Sequence, residues 1–488
     1  MLTNILTAIA AVDPAKPAVN ILGHHYTYGQ LQLESDHVAQ ALAAQHLPAG
    51  SPVMLYCDQS FDTIVAMLGC VKAGHAYIPV DTHSPNDRLV MIEEIAQPAM
   101  IIALAALPLT MHTPTLSGAA WQAAKQFQGQ QVLQPVLGAQ NFYIIFTSGT
   151  TGRPKGVQIS HANLLSFVNW MQTFAWPQAV KALVQAPYSF DLSVMSLYPT
   201  LVAGGELEVL PARVTANLKD LFETLPKLGM QVWVSTPSFV SICLLDKNFD
   251  AAHYPALQQF YFCGEELTHQ VAQTLLTRFP QADVYNTYGP TEATVATTAV
   301  KITQAVLDQY PRLPIGVAQP DTKISLQHVQ DGIGELYLQG PNVSKGYLNN
   351  PDKTQAAFTP AGYATGDLGY QDGDMWFYSG RTDFQIKLNG YRIELEEVNH
   401  YLNATPVIAS AVAVPKYDAQ HKVSQLIAYV VPTKDAPSGL ALTKAIRQHL
   451  QETMMSYMIP QRFKYVDKLP LTANGKVAIK QLMQVVNA

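Results

Sequence analysis

The sequence predicts an α/β protein. It has a large N-terminal domain of α/β subdomains that ends in a small β-barrel-like subdomain, followed by a small α+β C-terminal domain. Three observations lead there. The chain has 488 residues, well beyond the length at which a single hydrophobic core stops growing. Short β-rich apolar runs alternate with helical stretches through its first part, which is α/β patterning. The pattern then changes character twice, near Lys301 and again after Gly380.

The apolar runs are YIIF from Tyr143, ALVQ from Ala182, LEVL from Leu207, QVWV from Gln231, FYF from Phe260 and DVYN from Asp283. From about Lys301 the helices thin out, and strands with turns dominate in KISLQ, GELYLQG and DMWFYSG. Beyond Gly380, VIASAVAVP and QLIAYVVP read as sheet strands, and LTKAIRQHLQETM has helical periodicity with a basic outer face. The expected organisation is a core over residues 1–382 with its β-rich subdomain at about 301–382, a boundary at Asp383, and a second domain over 384–488.

Composition narrows the class of function. Hydrophobic residues make up 48% and charged residues 14%, as in a globular protein. The apolar stretch from Met100 to Met111 is too short and too interrupted to span a bilayer. The apolar N-terminus lacks a basic segment and meets Asp13 and Pro14, so no secretory signal is expected and the protein is read as cytoplasmic and not inserted in a membrane. Cysteines 57, 70, 243 and 263 form no CxxC pair and no zinc-ligand spacing, so reduced thiols are expected. Net charge is −6, yet residues 384–488 hold nine lysines and three arginines against four glutamates and three aspartates. Those cations are dispersed and carry no aromatic stacking motif, which favours an acidic protein partner over nucleic acid.

The segment FTSGTTGRPKGV, Phe146 to Val157, follows a strand candidate. Its hydroxyls, glycines and lysine suit the wrapping of phosphate oxygens. It is not a Walker A loop, because Lys155 lies between Pro154 and Gly156 and no GK[ST] occurs. Four further motifs follow in order: NTYGPTEAT at 286–294, YATGDLG at 363–369, SGRTDFQIKLNGYRIE at 379–394 and PLTANGKV at 470–477. LGCVKAGHAYIPVD at 68–81 fits the same pattern. Through most of its length the chain thus resembles the adenylate-forming superfamily of acyl-CoA synthetases, luciferases and peptide-synthetase adenylation domains.

That resemblance implies ATP and Mg²⁺ and assigns roles. Thr147, Ser148, Gly149, Thr150, Thr151 and Lys155 would cradle the β- and γ-phosphates, and Thr291 the α-phosphate. Glu292 would bind Mg²⁺, a hard cation suited to oxygen ligands. Asn286, Thr287 and Tyr288 would hold adenine, with Tyr288 stacked on it, while Asp367 would accept from the ribose hydroxyls and Arg381 would support that side. Lys476, otherwise an ordinary hairpin lysine, would bridge carboxylate and α-phosphate as charge develops. Asp383 would be the hinge of a mobile C-terminal domain, whose rotation replaces the Lys476 face with Leu388 to Tyr391 and opens a thiol tunnel. Arg153 and Asn389 depart from the commonest residues at their positions.

Asp191 in PYSFDLSVM falls where amino-acid-activating members place the partner of the substrate ammonium, although a helix-cap aspartate also fits. The aligned pocket is Leu192, Met195, Tyr261, Cys263, Thr287, Val295 and Ala296. Its large residues leave room only for a small side chain. FCGEEL at 262–267, the 380–394 run and YMIP at 457–460 resemble the D-alanine-activating carrier-protein ligases. In that group Cys263 bears on the choice of enantiomer. The resemblance implies a monomer that charges a separate acidic carrier protein, whose phosphopantetheine supplies the thiol, for D-alanylation of lipoteichoic acid. An adenylation enzyme for L-alanine, glycine or serine shares every nucleotide motif, and a short-chain acyl-CoA ligase shares most of them. A non-enzymatic nucleotide sensor is disfavoured, because Glu292 and Lys476 are both present.

Overall fold

The computed structural model describes residues 1–149, 153–177, 179–383, 385–418, 422–470 and 477–487. By internal contacts the chain forms two compact units. The larger comprises Met1–Thr82, Glu93–Phe146 and Gly156–Thr382, and the smaller comprises His83–Ile92, Thr147–Lys155 and Asp383–Ala488.

The larger unit is built on three sheets. A six-stranded sheet runs in the order Thr115–Ser117, Met100–Ala103, Val53–Cys57, Tyr77–Asp81, Asn141–Thr147, Lys155–Ser160. A nine-stranded sheet runs Val317–Ala318, Thr298–Ile302, Asp283–Tyr288, Gln259–Phe262, Val232–Ser235, Lys181–Val184, Glu206–Val209, Pro17–Ile21, His24–Thr27. Its middle strands are parallel and its two ends antiparallel. All six apolar runs read from the sequence are strands of these two sheets. The middle strands are continuous hydrophobic runs because helices cover both faces. Alternate residues feed two cores: Val232, Val234, Tyr261 and Cys263 enter one, and Trp233, Phe260 and Phe262 the other.

The third sheet has five antiparallel strands: Lys323–Gln330, Ile333–Gln339, Gly362–Asp372, Phe358–Thr359 and Met375–Arg381. It starts later than the change of composition at Lys301, which still lies in Thr298–Ile302 of the nine-stranded sheet. No pairing joins Lys323–Gln330 to Met375–Arg381 among the described residues, so the sheet stays open. Leu336, Leu338, Tyr363 and Trp376 from it share a core with Tyr288, Ala293 and Ile315.

In the smaller unit, strands Gln385–Leu388 and Tyr391–Glu394 form a hairpin. Its turn is Asn389-Gly390, with φ of 52° and 85°, the left-handed pair that an Asn-Gly turn accommodates. Helix Leu395–Ala404 follows, then the antiparallel pair Ile408–Tyr417 and Val423–Pro432, with Arg462–Tyr465 parallel to the latter. Helix Leu440–Thr453 buries Leu442, Ile446 and Leu450, one stripe at helical spacing. No helix among the described residues is long and apolar enough to cross a membrane.

Candidate active site

Within the larger unit, residues that follow the C-terminal ends of the parallel strands converge, the usual place for ligands in open α/β sheets. Cys263 comes directly after Gln259–Phe262, and Tyr288 ends Asp283–Tyr288. Leu192, Met195, Tyr261, Cys263, Val295 and Ala296 all belong to one buried cluster. The Cys263 thiol donates to the Val295 carbonyl at 3.5 Å. Behind Cys263 stands a wall of rings. Tyr261 stacks on Tyr285 with centroids 4.9 Å apart, Phe174 meets both edge-on, and Trp176 donates its indole N–H to the Tyr261 hydroxyl.

Asp191 occupies the N-cap position of helix Leu192–Val202, yet its side chain makes no capping hydrogen bond. The carboxylate is buried. The helix-cap explanation therefore loses its main support. Tyr143, whose buried hydroxyl has no hydrogen-bond partner among the described residues, has its phenol pushed well above the ordinary value, first by burial and then by the charge of Asp191. The sequence offered no sign of this neighbour, because YIIF reads only as a strand.

The loop after Tyr288 is tightly folded. Thr297 N–H donates to the Tyr288 carbonyl at 2.7 Å, and a Cβ on Gly289 would come within 2.6 Å of Ala296 Cα, so only glycine fits there. Thr291 to Ala293 form a 3₁₀ turn, and Thr294 and Val295 then adopt φ of 56° and 70°. Glu292 is fully buried, and its Oε1 accepts from the Tyr347 hydroxyl at 2.8 Å. Among the described residues no cluster of three or more His, Cys, Asp or Glu could hold a metal. Magnesium commonly binds through one or two carboxylates together with substrate phosphates, and a lone buried glutamate fits that mode.

The remaining nucleotide candidates separate by what their side chains do. Asp367 accepts from the Tyr288 hydroxyl with one oxygen and from Arg381 with the other, both at 2.5 Å. Burial first, and then the Asp367 charge, push the Tyr288 phenol well above its ordinary value. Asn286 donates its amide to the Pro314 carbonyl and Thr287 its hydroxyl to the Phe262 carbonyl, so these two side chains are engaged within the fold.

Residues 6–348 match the model of the AMP-binding enzyme family, and residues 397–476 that of the AMP-binding enzyme C-terminal domain. The chain belongs to the AMP-binding enzyme family. It is 54% identical to the D-alanine--D-alanyl carrier protein ligase of Lacticaseibacillus rhamnosus, with all of both chains covered. It is 52% identical to the protein of the same name from Lactiplantibacillus plantarum, again over all of both chains. In fold it is similar to a double mutant of o-succinylbenzoate CoA synthetase from Bacillus subtilis, with a TM-score of 0.86, 19% identity, and 99% and 98% of the two chains covered.

Of the AMP-binding enzyme's remaining candidates, Thr147, Ser148, Gly149 and Lys155 lie in the smaller unit, while Thr150, Thr151 and Lys476 lie outside the described residues. Among the described residues the buried Thr147 hydroxyl has no hydrogen-bond partner, which suits a ligand oxygen. Ser148 Oγ donates to the Arg392 carbonyl, and Gly149 N–H donates to Glu397 Oε2 at 3.2 Å. Lys155 lies 3.9 Å from Glu394. Burial pushes the Glu397 carboxyl up to about 7, against the opposing pull of Arg88 and the Gly149 N–H. Asp383 accepts from the Gln385 N–H at the start of the hairpin.

Proposed function

We propose that this AMP-binding enzyme activates D-alanine with ATP and passes the alanyl group to the phosphopantetheine thiol of a separate acidic carrier protein. In the first half-reaction the alanine carboxylate attacks the α-phosphate, an acyl–phosphate bond forms, and the bond to pyrophosphate breaks. In the second, the thiol sulfur attacks the carbonyl of D-alanyl-AMP and AMP leaves. The observation that carries this reading is full-length likeness, at more than half identity, to a D-alanine--D-alanyl carrier protein ligase.

The site chemistry supports it. A buried carboxylate at Asp191 suits an alkylammonium, which an acyl-CoA ligase for a simple acid has no need to hold. The wall of Met195, Tyr261 and Cys263 suits a methyl side chain. Asp367 and Arg381 would hold the ribose, and Thr291 and the loop of Thr147, Ser148, Gly149, Thr150, Thr151 and Lys155 the phosphates. Magnesium, held by Glu292 and phosphate oxygens, would neutralise charge on the triphosphate. Lys476 would stabilise charge that develops between carboxylate and α-phosphate. The protein works in the cytoplasm as a monomer, meets its carrier in trans, and supplies alanyl groups for lipoteichoic acid.

Exchange of labelled pyrophosphate into ATP, driven by D-alanine, L-alanine, glycine, serine or acetate, tests the reading. D-Alanine is expected to lead. Asp191→Ala is expected to raise the KM for D-alanine sharply and leave that for ATP nearly unchanged. A wild-type preference for L-alanine, or an Asp191→Ala enzyme with normal alanine kinetics, would overturn the assignment.

A further inference from the structure

One loop of the larger unit to which no role has been given, GPNVSKGYL from Gly340 to Leu348, is bonded on two sides. Its partners on one side are Gly156 to Gln158 and Asn163. Leu348 N–H donates to the Gly156 carbonyl at 2.8 Å, and Gln158 N–H donates to the Gly346 carbonyl. Asn163 Nδ2 donates to the carbonyls of Pro341 and Val343 at 2.7 and 2.9 Å. The loop is therefore fixed to the strand and helix that follow the glycine-rich segment.

Its other side grips the turn that carries Glu292 and Val295. Ser344 N–H donates to the Glu292 carbonyl at 2.8 Å, and the Tyr347 hydroxyl holds the Glu292 carboxylate. Asn342, fully buried, donates through Nδ2 to the Ala293 carbonyl and to Thr297 Oγ1, both at 3.0 Å. The Thr294 hydroxyl donates to the Asn342 carbonyl at 2.7 Å. Thr322 donates to Asn342 Oδ1, which fixes the amide with its N–H groups facing the turn.

The grip falls where the backbone resists its own conformation. Thr294 and Val295 are β-branched and both lie in the left-handed region, at φ of 56° and 70°. Such residues avoid that region, and consecutive examples persist only where the surroundings over-determine them. Released, the pair would relax toward extended or right-handed backbone and carry the Val295 side chain and carbonyl with it. That carbonyl is the acceptor of the Cys263 thiol. The strain thus bears on the wall proposed to read the substrate's Cα.

We propose that Asn342 is a positioning residue for substrate selection: by holding the strained Ala293–Thr297 turn, it sets where Val295 and Cys263 stand and thereby how well D-alanine is distinguished from L-alanine. The inference rests on the functional reading above.

The test uses the full chain, with Asn342→Ala and the near-isosteric Asn342→Asp. The latter turns a carboxylate toward the Ala293 carbonyl. Each variant is assayed by pyrophosphate exchange with D- and L-alanine, by the KM for ATP, and by thermal melting. Misplacing a binding group by about 1 Å can cost on the order of a hundredfold, so a rise of about tenfold or more in the KM for D-alanine is expected. The D-to-L ratio of kcat/KM should contract, while the KM for ATP moves much less. A merely structural asparagine would lower the active fraction and the melting temperature, leaving both KM and the enantiomer ratio as in the wild type, and that result overturns the proposal. If Asn342→Ala fails to fold, Thr294→Ala removes one bond of the same grip and must shift the ratio in the same direction, and an unchanged ratio again overturns it. A wild-type enzyme that exchanges with another amino acid would sink the functional reading instead, and the clamp is then judged on that substrate's KM.

Discussion

The two regions proposed to hold ATP are built on opposite plans. On the ribose side, Asp367 is engaged by Tyr288 and Arg381 within the larger unit, with Tyr288 and Asp367 buried and Arg381 half-buried. In the loop of the smaller unit, three of the donors proposed for phosphates meet protein acceptors: Gly149 N–H faces Glu397, Ser148 the Arg392 carbonyl, and Lys155 lies 3.9 Å from Glu394. A carboxylate is a fair substitute for a phosphate oxygen, since both are anionic acceptors. The first region is preorganised, and the second is exchangeable. Specific recognition suits the former and a two-step reaction the latter, because pyrophosphate has to leave.

The largest effect is expected at Lys476. Losing an electrostatic contact made in the transition state commonly costs about 3 kcal/mol or more, so Lys476→Ala should slow adenylate formation by two to three orders of magnitude. Thioester formation from supplied D-alanyl-AMP should survive. Equal loss of both half-reactions, measured separately, would break the idea that the smaller unit serves the two steps with different faces.

Next comes Asp367. Removing one partner of a buried ion pair typically costs about 3 to 5 kcal/mol, because the other charge is left uncompensated. Asp367→Asn should therefore lower both stability in urea and affinity for ATP. Retained ATP binding in a destabilised variant would mean that the ribose side is scaffold and not anchor.

Cys263 should give a smaller change. A difference of about one methyl group is worth roughly 1 to 3 kcal/mol, so Cys263→Gly should raise kcat/KM for L-alanine by tenfold or so and leave that for D-alanine nearly constant. An unchanged enantiomer ratio would move the chiral determinant elsewhere.

The most gradual effect, a change of slope with pH, sharpens the exchangeable side. With a folded-state value of about 7 for Glu397, against 4.5 for the ordinary carboxyl, the folded chain holds a proton the unfolded one has lost. The associated stabilisation is complete below the unfolded value and disappears as pH rises through about 7, with a limiting slope of about 1.4 kcal/mol per pH unit. Glu397→Gln should flatten that part of a stability curve measured from pH 5 to 8. Parallel curves for the two proteins would show that the carboxyl is ionised throughout.

What could be read from the sequence follows from how local each signal is. The five middle strands of the nine-stranded sheet, from Lys181–Val184 to Asp283–Tyr288, announce themselves as apolar runs, since covering both faces leaves no polar alternation. Helix Leu395–Ala404 gives no such signal, because it begins directly after the run read as a hinge and its N-cap, Glu394, makes no capping bond. The five-stranded sheet begins at Lys323, beyond the change of composition at Lys301, because the antiparallel strand Thr298–Ile302, second from the end of the nine-stranded sheet, has the same composition as the next sheet. The candidate site divides the same way. Glu292, Asp367 and Asp191 sit in contiguous motifs, whereas Tyr347, Asn342 and Tyr143 matter through partners distant in sequence, and no spacing rule connects them.

The ring wall behind Cys263 has a consequence for how such an enzyme could diversify. Tyr261 is held by a stacked neighbour, an edge-on contact from Phe174 and the indole N–H of Trp176, so its ring cannot swing aside. Trimming Tyr261 alone would leave Trp176 without its acceptor and Tyr285 without its stack, a void more readily refilled by neighbouring rings than by a longer substrate. Acquiring a bulkier amino acid would demand concerted replacement of several aromatics, with each intermediate less sound than its parent. With alanine as the proposed substrate, that topography would isolate the enzyme on its own peak, accessible to drift at the surface and closed to stepwise recruitment through the proposed pocket.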